Sequence, residues 1–460
     1  LEKNLNILII KYHCEDFMPS SKLFLPNKNV PITGEADLII SGGGPSGFGA
    51  AIVAARKGLR VILIERYGFL GGMATAGMVG AICGMYLHHP DKIEYVIEGF
   101  AKEVTDALIK RGGAFGPHIA QGYTILLYNP WHMKRLMDEW IENEPNITLM
   151  LHTYVADTVV EGGELKGLVI ASPEGLSAVT GHVYIDSTGD AVVAHASGAD
   201  TDKGDDKGSV MSPTMMFWAQ GIDWERYQQK GMSQLNEKIK EAIDFKKYPL
   251  SINEGIVLPT FRPGEGMVKL SALIKDGHAV DGSLVSDLTY AELQGRAQAE
   301  VSMKFLINEV PGFEKAFLFD TAVQVGIRET RRIVGEYVLT KMDVLSGRIF
   351  DDTICLSSWP LEIWEKGMKP RWVFLENGLF YGIPYRSLLT RNIKNLLVTG
   401  RAISMDHEAL ASARVMGVCL AEGQAAGIAT ALALRNKIGI KEVDVEELRA
   451  EIKKDGARLD

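Results

Sequence analysis

Residues 38–47 read Leu38-Ile39-Ile40-Ser41-Gly42-Gly43-Gly44-Pro45-Ser46-Gly47, a short apolar run that opens into a G-x-G-x-x-G turn. An Ala-rich helical pattern continues through Ala55, Gly58 turns the chain, and a second apolar run, Val61-Ile62-Leu63-Ile64, ends on Glu65. Together these spell a β-α-β unit with the spacing of a dinucleotide-binding fingerprint. Gly42 makes the tight turn, Gly44 admits a pyrophosphate to the backbone, and Gly47 lets helix and strand pack closely. The helix start at Pro45 and Ser46 offers unpaired N–H groups and a partial positive charge to phosphates. Glu65 stands where a ribose 2′-OH needs an acceptor. Glycines alone would suit an ordinary turn; strand, helix, second strand and acid in one spacing set this segment apart. The fingerprint occurs once.

Working outward, 460 residues suffice for two or three domains around a large core. The hydrophobic share of 46% and charged share of 23% are those of an ordinary globular protein. A net charge of −9 without any Lys/Arg block argues against a nucleic-acid partner. No stretch is expected to supply the roughly 18 apolar residues of a membrane span. Residues 5–10 are apolar, but Lys11 and His13 interrupt them, and no small-residue cleavage site follows. Because the chain opens on Leu1, residues 1–17 are set aside as an over-extended or non-native start with Met18 as initiator, inside a lead of residues 1–34. Cys14, Cys83, Cys355 and Cys419 lie far apart with no CxxC pair, which excludes the signature of an iron–sulfur centre or zinc ribbon. Such cysteines fit a reducing compartment, so a soluble, cytoplasmic protein is expected.

After Glu65 comes a small-residue loop (67–84) with Gly68, Gly71, Gly72, Gly77, Gly80 and Gly84, which reads as backbone lying against something. Residues 91–112 and 130–143 are expected to be helical. Runs near 147–152, 154–160, 165–171 and 176–186, split by Glu161-Gly162-Gly163 and Pro173-Glu174-Gly175, predict an antiparallel meander. Its last strand reaches Asp186-Ser187-Thr188-Gly189-Asp190, and the charged stretch 203–207 marks a boundary. Residues 205–385 predict strands at 214–219 and 266–273 and helices at 289–308 and 326–342. A buried strand, Leu396-Leu397-Val398, then leads to Gly400-Arg401 and a long helix over 409–434. Gly417, Gly423 and Gly427 each cost that helix about 0.5–1 kcal/mol, tolerable where a sheet or cofactor must approach. A short amphipathic helix is expected over 442–456.

The fingerprint leaves NAD and FAD open. The Gly-rich loop straight after Glu65 suits FAD, whose long body runs from adenosine past this loop, and no further alternating βα units follow. The turns Thr188-Gly189-Asp190 and Gly400-Arg401 are expected at the C-terminal ends of neighbouring parallel strands, where open α/β sheets bind ligands.

The fingerprint, the loop Leu70-Gly71-Gly72-Met73-Ala74-Thr75 and the turn Ser187-Thr188-Gly189-Asp190 carry a resemblance shared with two later stretches. These are Gly326-Ile327-Arg328-Glu329-Thr330-Arg331-Arg332, and the run from Tyr381-Gly382-Ile383-Pro384-Tyr385-Arg386 to Gly423-Gln424-Ala425-Ala426-Gly427. Over residues 35–457 the chain resembles the bacterial FAD-dependent oxidoreductases of the glutathione-reductase structural superfamily. The resemblance implies noncovalent FAD in an α/β, Rossmann-like domain of glutathione-reductase type, built from 35–204 and 386–440. An α+β substrate domain, 205–385, would be inserted, and 441–460 would form a helical tail. Gly42, Gly44, Pro45 and Ser46 would face the pyrophosphate, with Gly47 behind them, and Glu65 and Arg66 the adenosine. Gly71, Gly72, Met73 and Ala74 would run beside the ribityl chain and flavin, and Val155 would touch the adenine. Thr188, Gly189, Asp190, Gly400 and Arg401 would complete the FAD site. Distant relatives use redox cysteine pairs or iron–sulfur clusters; neither occurs here, nor does a second G-x-G-x-x-G for an NAD(P)H domain.

A helix N-terminus aimed at flavin N1/O2 would stabilise the negative charge of reduced flavin, and the helix capped by Ser404 or Asp406 is the candidate. His407 and Arg414, seven residues apart, would share a face. His407 is a candidate proton carrier, or a structural cap-region histidine, and Arg414 an anchor for substrate or flavin. Arg328, Arg331 and Arg332 are expected at i, i+3, i+4 on one helix, either clamping a carboxylate or pairing with Glu329 and Glu336. Tyr385 and Arg386 are further substrate-face candidates. Met211, Met215, Met216 and Trp218 suit a cavity-lining strand or core packing alike. His88-His89 lacks a carboxylate at ligand spacing, so no metal is expected. The expected activity is hydride transfer between a small organic substrate, leaning toward a carboxylic acid, and flavin N5, with an unidentified electron acceptor. The alternatives are a C=C reductase resembling fumarate-reductase flavoproteins, and a non-catalytic binding protein on the same fold.

Overall fold

Three separated segments of chain build one parallel sheet. In the computed structural model, which describes residues 29–120, 123–365 and 369–460, β1 (Ile32–Ser41) lies at its centre. It pairs in parallel with β2 (Val61–Ile64) on one side and with the Gly175–Asp186 strand on the other. The Ile147–Met150 strand extends the sheet beyond β2, and the Leu396–Val398 strand extends it beyond Gly175–Asp186, both in parallel. Every residue of β2 is buried, as expected where both faces of a parallel sheet are covered. The period of two divides the strands cleanly. Leu38, Ile40, Val61 and Leu63 face the helices. Ile39, Ile62, Ile64 and Tyr184 face the meander of Tyr154–Glu161 and Glu164–Ser172. The proposed start at 1–17, with Cys14, lies outside the described residues.

The register aligns Ser41 with Ile64, Ser41 with Asp186, and Asp186 with Val398. Glu65, Ser187 and Thr399 therefore emerge side by side from one sheet edge. Helix α1 (Pro45–Arg56) crosses the sheet and packs along the Met416–Asn436 helix. Two glycines of that helix serve this contact, whereas Gly417 lies against the backbone of Cys83 and Met85: a Cβ on Gly423 would stand 2.2 Å from the Ser46 carbonyl oxygen, and one on Gly427 2.9 Å from that of Ala50. The approaching partner is thus a helix backbone, not the sheet or cofactor expected from sequence.

Several other expectations need correction. The 147–152 run joins the parallel sheet instead of the meander. The first connecting helix spans Phe100–Lys110, so 91–99 is not helical. The 409–434 helix is two, His407–Ala413 and Met416–Asn436, parted where Val415 turns extended at ψ 156°. Met416–Asn436 is long and apolar enough to cross a membrane by length and composition, contrary to expectation, and here it is a buried core helix. Residues 326–340 form no helix; Arg331–Ile333 is a strand pairing with Thr201–Lys203. Their polar side chains are bonded to distant loops, and those bonds override the local helical pattern.

Beyond the parallel sheet, Ile256–Pro259, Glu265–Lys269, Phe217–Gln220 and Phe317–Thr321 form a four-stranded antiparallel sheet with the Val285–Glu309 helix against it. The Thr353–Ser357 and Tyr381–Pro384 hairpin packs on Met416–Asn436.

Gly423→Ala tests the helix contact. Alanine is the better helix former, yet here it should destabilise by about 1–3 kcal/mol through overpacking against Ser46. Urea denaturation reads the difference, and a stabilised variant would contradict the contact.

Candidate active site

The strand ends open into a continuous cleft, partly open to solvent, with an atom-free volume of about 2030 Å³. One end is lined by Gly42, Gly44, Pro45 and Ser46 at the start of α1, with Glu65 and Arg66, Val155, and the Thr188-Gly189-Asp190 turn. Gly72, Met73 and Ala74 lie along it, and Gly400 and Arg401 close it. The sequence-predicted cofactor residues therefore converge on one wall, apart from Gly47 and Gly71. Gly47 acts from behind: a Cβ there would sit 1.8 Å from the Gly42 carbonyl oxygen. Gly71 donates its N–H to the Gly43 carbonyl (2.8 Å) at φ 108°, turning the loop against the fingerprint.

Glu65 is buried, accepting from the N–H of Gly43 (2.7 Å) and of Tyr67 (2.9 Å). Burial pushes its carboxyl above the usual range, and those N–H groups oppose the rise. Arg401 donates to Asp190 Oδ1 (2.6 Å), and Thr330 Oγ1 donates to the same oxygen (2.9 Å). Asp190 thus ties the two predicted turns together. The Gly400 N–H donates to Glu422 Oε2 (2.6 Å). Glu422 is fully buried, and its other oxygen has no partner among the described residues. Burial raises its carboxyl well above the usual range, and the single N–H from Gly400 only partly opposes the rise. Sequence reasoning passed it over, although a lone acid inside an Ala/Gly-rich helix is a readable signal.

The far end of the cleft is a charged cluster under an aromatic wall. Arg328 donates to the Ser212 carbonyl (2.6 Å) and to Thr214 Oγ1 (2.9 Å), with its guanidinium 4.0 Å from the Trp364 ring centre. Lys269 Nζ donates to Glu362 Oε1 (3.3 Å), and Arg414 donates to the Glu362 carbonyl (3.0 Å). Burial alone would push the Glu362 carboxyl up, but Lys269, Arg414 and Arg328 hold it below the usual range. Burial pulls Lys269 and Arg414 down from their ordinary values, and it pulls Arg328 down to about 9, which leaves Arg328 cationic at neutral pH. Met416 and Cys419 also line the cleft, so the second helix of the broken pair, not the one capped by Asp406, brings its N-terminus there.

The remaining candidates fall elsewhere. His407 does not line the cleft; its Nδ1 lies 3.0 Å from Glu329 Oε1, and Glu329 also pairs with buried Arg332. Asp406, not Ser404, caps His407–Ala413. Arg331 donates to the Asp190 carbonyl. Tyr385 is buried on the Ile440 carbonyl, and Arg386 pairs with Asp352. Neither faces the cleft. Met216 lines it, whereas Met211, Met215 and Trp218 do not; Met215 and Trp218 pack behind it in the same apolar cluster as Met216. Lys269, Glu362, Tyr123, Trp359 and Trp372 were not singled out from sequence, although Lys269 interrupts the apolar run 267–270 and Glu362 sits between Trp359 and Trp364.

Two measurements check these electrostatics. Burial pushes the Cys83 thiol up to about 12, so at mildly alkaline pH iodoacetamide should alkylate it about 1000-fold more slowly than an ordinary free thiol. Glu422 has a folded-state pKa above its unfolded value, so its contribution is full at low pH and lost as pH rises. Above roughly pH 4.3 wild type should lose up to about 1.4 kcal/mol per pH unit relative to Glu422→Gln until the carboxyl ionises. Parallel urea curves across pH would show this, and a pH-independent gap would refute the raised carboxyl.

Residues 37–452 match the sequence profile of the family described as FAD dependent oxidoreductase. A 91-residue segment is 32% identical to ferredoxin–NADP reductase of Saccharopolyspora erythraea, covering 19% of this chain and 24% of the reductase. The match thus spans about a quarter of that relative's length. Among solved structures the chain is similar to a geranylgeranyl bacteriochlorophyll reductase-like protein of Thermoplasma acidophilum, at 11% identity over 92% of this chain and 83% of that one, with a TM-score of 0.41. It is likewise similar to p-nitrophenol 4-monooxygenase of Pseudomonas putida, at 12% identity over 92% and 81%, with a TM-score of 0.41. With the profile matched over most of its length, this chain belongs to the FAD dependent oxidoreductase family.

Proposed function

We propose that this protein holds FAD noncovalently in a domain of glutathione-reductase type and transfers a hydride between a small organic carboxylate and flavin N5. The observation that carries this reading is one cleft joining a nucleotide-shaped end to a cationic end. The residues present fit the cofactor. A Cβ on Gly44 would have only the Gly72 Cα near it, at 3.9 Å, so the missing side chain leaves an open approach to the α1 N-terminus. Arg401 Nε is buried without a partner among the described residues. Both features suit a pyrophosphate and its ribityl neighbour.

When bound, the flavin supplies the redox chemistry. The chain's own residues bind, orient and set the field. Gly44, Pro45, Ser46 and Arg401 would hold the phosphates, and Glu65 the adenosine ribose. The N-terminus at Met416 and the Arg414 guanidinium would place positive potential at the flavin's pyrimidine side, favouring its reduced form. Arg328 would anchor the substrate carboxylate. His407, held by Glu329, would position the loop ahead of Arg414 instead of carrying a proton.

The purified protein should be yellow or become so with FAD, and heat precipitation should release the flavin. Gly44→Val should abolish FAD binding while keeping the circular dichroism of the fold. A panel of small acids should bleach the flavin anaerobically, and His407→Ala should leave that rate within about tenfold. A protein that stays colourless with FAD added would overturn the reading.

A further inference from the structure

At the cationic end of the cleft, three side-chain cations, Lys269, Arg328 and Arg414, meet one carboxylate, Glu362. Three basic side chains thus face one acid in the cleft, where burial already weakens their charged forms. Such an excess is relieved by an incoming anion. Beside this cluster stands an aromatic wall, with Trp372 the cross-strand partner of Glu362. Tyr123 stacks on Trp372 with ring centres 5.3 Å apart and planes 13° apart, and Trp359 meets Tyr123 edge-on at 5.0 Å. All three rings line the cleft.

Trp359 supplies a second, independent pointer. Its ring is 4% exposed, and its Nε1–H has no acceptor among the described residues. Burying an indole N–H unpaired is costly, and tryptophans in such surroundings normally find an acceptor. The Trp359 ring lines the cleft, so a ligand oxygen is the partner it can gain.

We infer that this end of the cleft recognises an aromatic carboxylic acid: its ring lies against Tyr123, Trp359 and Trp372, and its carboxylate is held by Lys269 and Arg328. Guanidinium and ammonium donors bind the carboxylate by charge-assisted bonds, while the apolar aromatic wall, with Trp372 braced between Tyr123 and Phe374, selects a planar apolar body over a short aliphatic one. Glu362 orients the two cations from the protein side, and Arg328 and Arg414 repel ligands that carry a cation of their own. Arg414, which directly precedes the Met416 helix, is left for the cofactor. The inference rests on the flavin reading for the redox step that uses the bound acid, not for binding itself.

The test is isothermal titration of the purified full-length protein, with and without added FAD, using benzoate, benzamide and acetate as probes. Benzoate should bind at least about tenfold more tightly than either of the others. Lys269→Met and Arg328→Met should each weaken benzoate about tenfold and leave benzamide unchanged. Trp359→Phe provides a variant whose fold loses no hydrogen bond; it should weaken benzoate severalfold while the flavin content stays the same. Equal affinity for benzoate and benzamide would overturn anion recognition, and equal affinity for acetate would overturn the aromatic wall. Loss of FAD by Lys269→Met in step with loss of benzoate would assign the cluster to the cofactor and overturn the inference. A colourless protein that binds benzoate overturns the flavin reading and supports this one; a yellow protein that ignores benzoate does the reverse.

Discussion

Backbone meets backbone where α1 crosses the Met416–Asn436 helix, and the rest of the molecule is arranged around that contact. Gly423 and Gly427 bring the second helix against the carbonyls of Ser46 and Ala50 at distances no side chain would permit. Two helices some 370 residues apart in the chain thereby start at the same cleft, one at Pro45 and the other at Met416. Each contributes unpaired N–H groups and the positive end of its dipole. A long, doubly charged nucleotide and an electron-rich ring are what such a pair of termini favours.

Burial then separates two kinds of charge. Glu329, Arg332 and His407 form a mutually bonded network away from the cleft, and they fix the loop that feeds the helix break. Lys269, Arg328, Arg414 and Glu362 form an unbalanced set facing the cleft. Closed networks specify structure, whereas an unbalanced set in a desolvated cleft has capacity left for a ligand. The distinction explains why His407, attractive by residue type, lies outside the cleft while Lys269 lines it.

Legibility in the sequence followed the range of the interactions. The β-α-β unit and the two strand-end turns were readable because their geometry is dictated within a few residues by glycines and apolar runs. The 326–340 segment was misread because Arg328, Arg331 and Arg332 carry helical spacing, while their partners, Ser212, Asp190, Gly204 and Met405, are unrecognisable from local pattern. The break at Val415 carries no Pro to announce it, and the nearby Gly417 falls inside the second helix. The aromatic wall is assembled from Tyr123, Trp359 and Trp372, which the fold alone brings together.

That break also determines where the chain tolerates changes in length. Met416 and Gly423 are seven residues apart, about two helical turns, so one face of the helix meets α1 in register with its start at the cleft. A single inserted residue between them would rotate Gly423 by about 100° and turn a bulkier side chain toward Ser46. The same insertion at 414–415 falls where the backbone is already extended and leaves the helical phase untouched. Natural variation in length among related chains is accordingly expected ahead of Met416 and forbidden between it and Gly427.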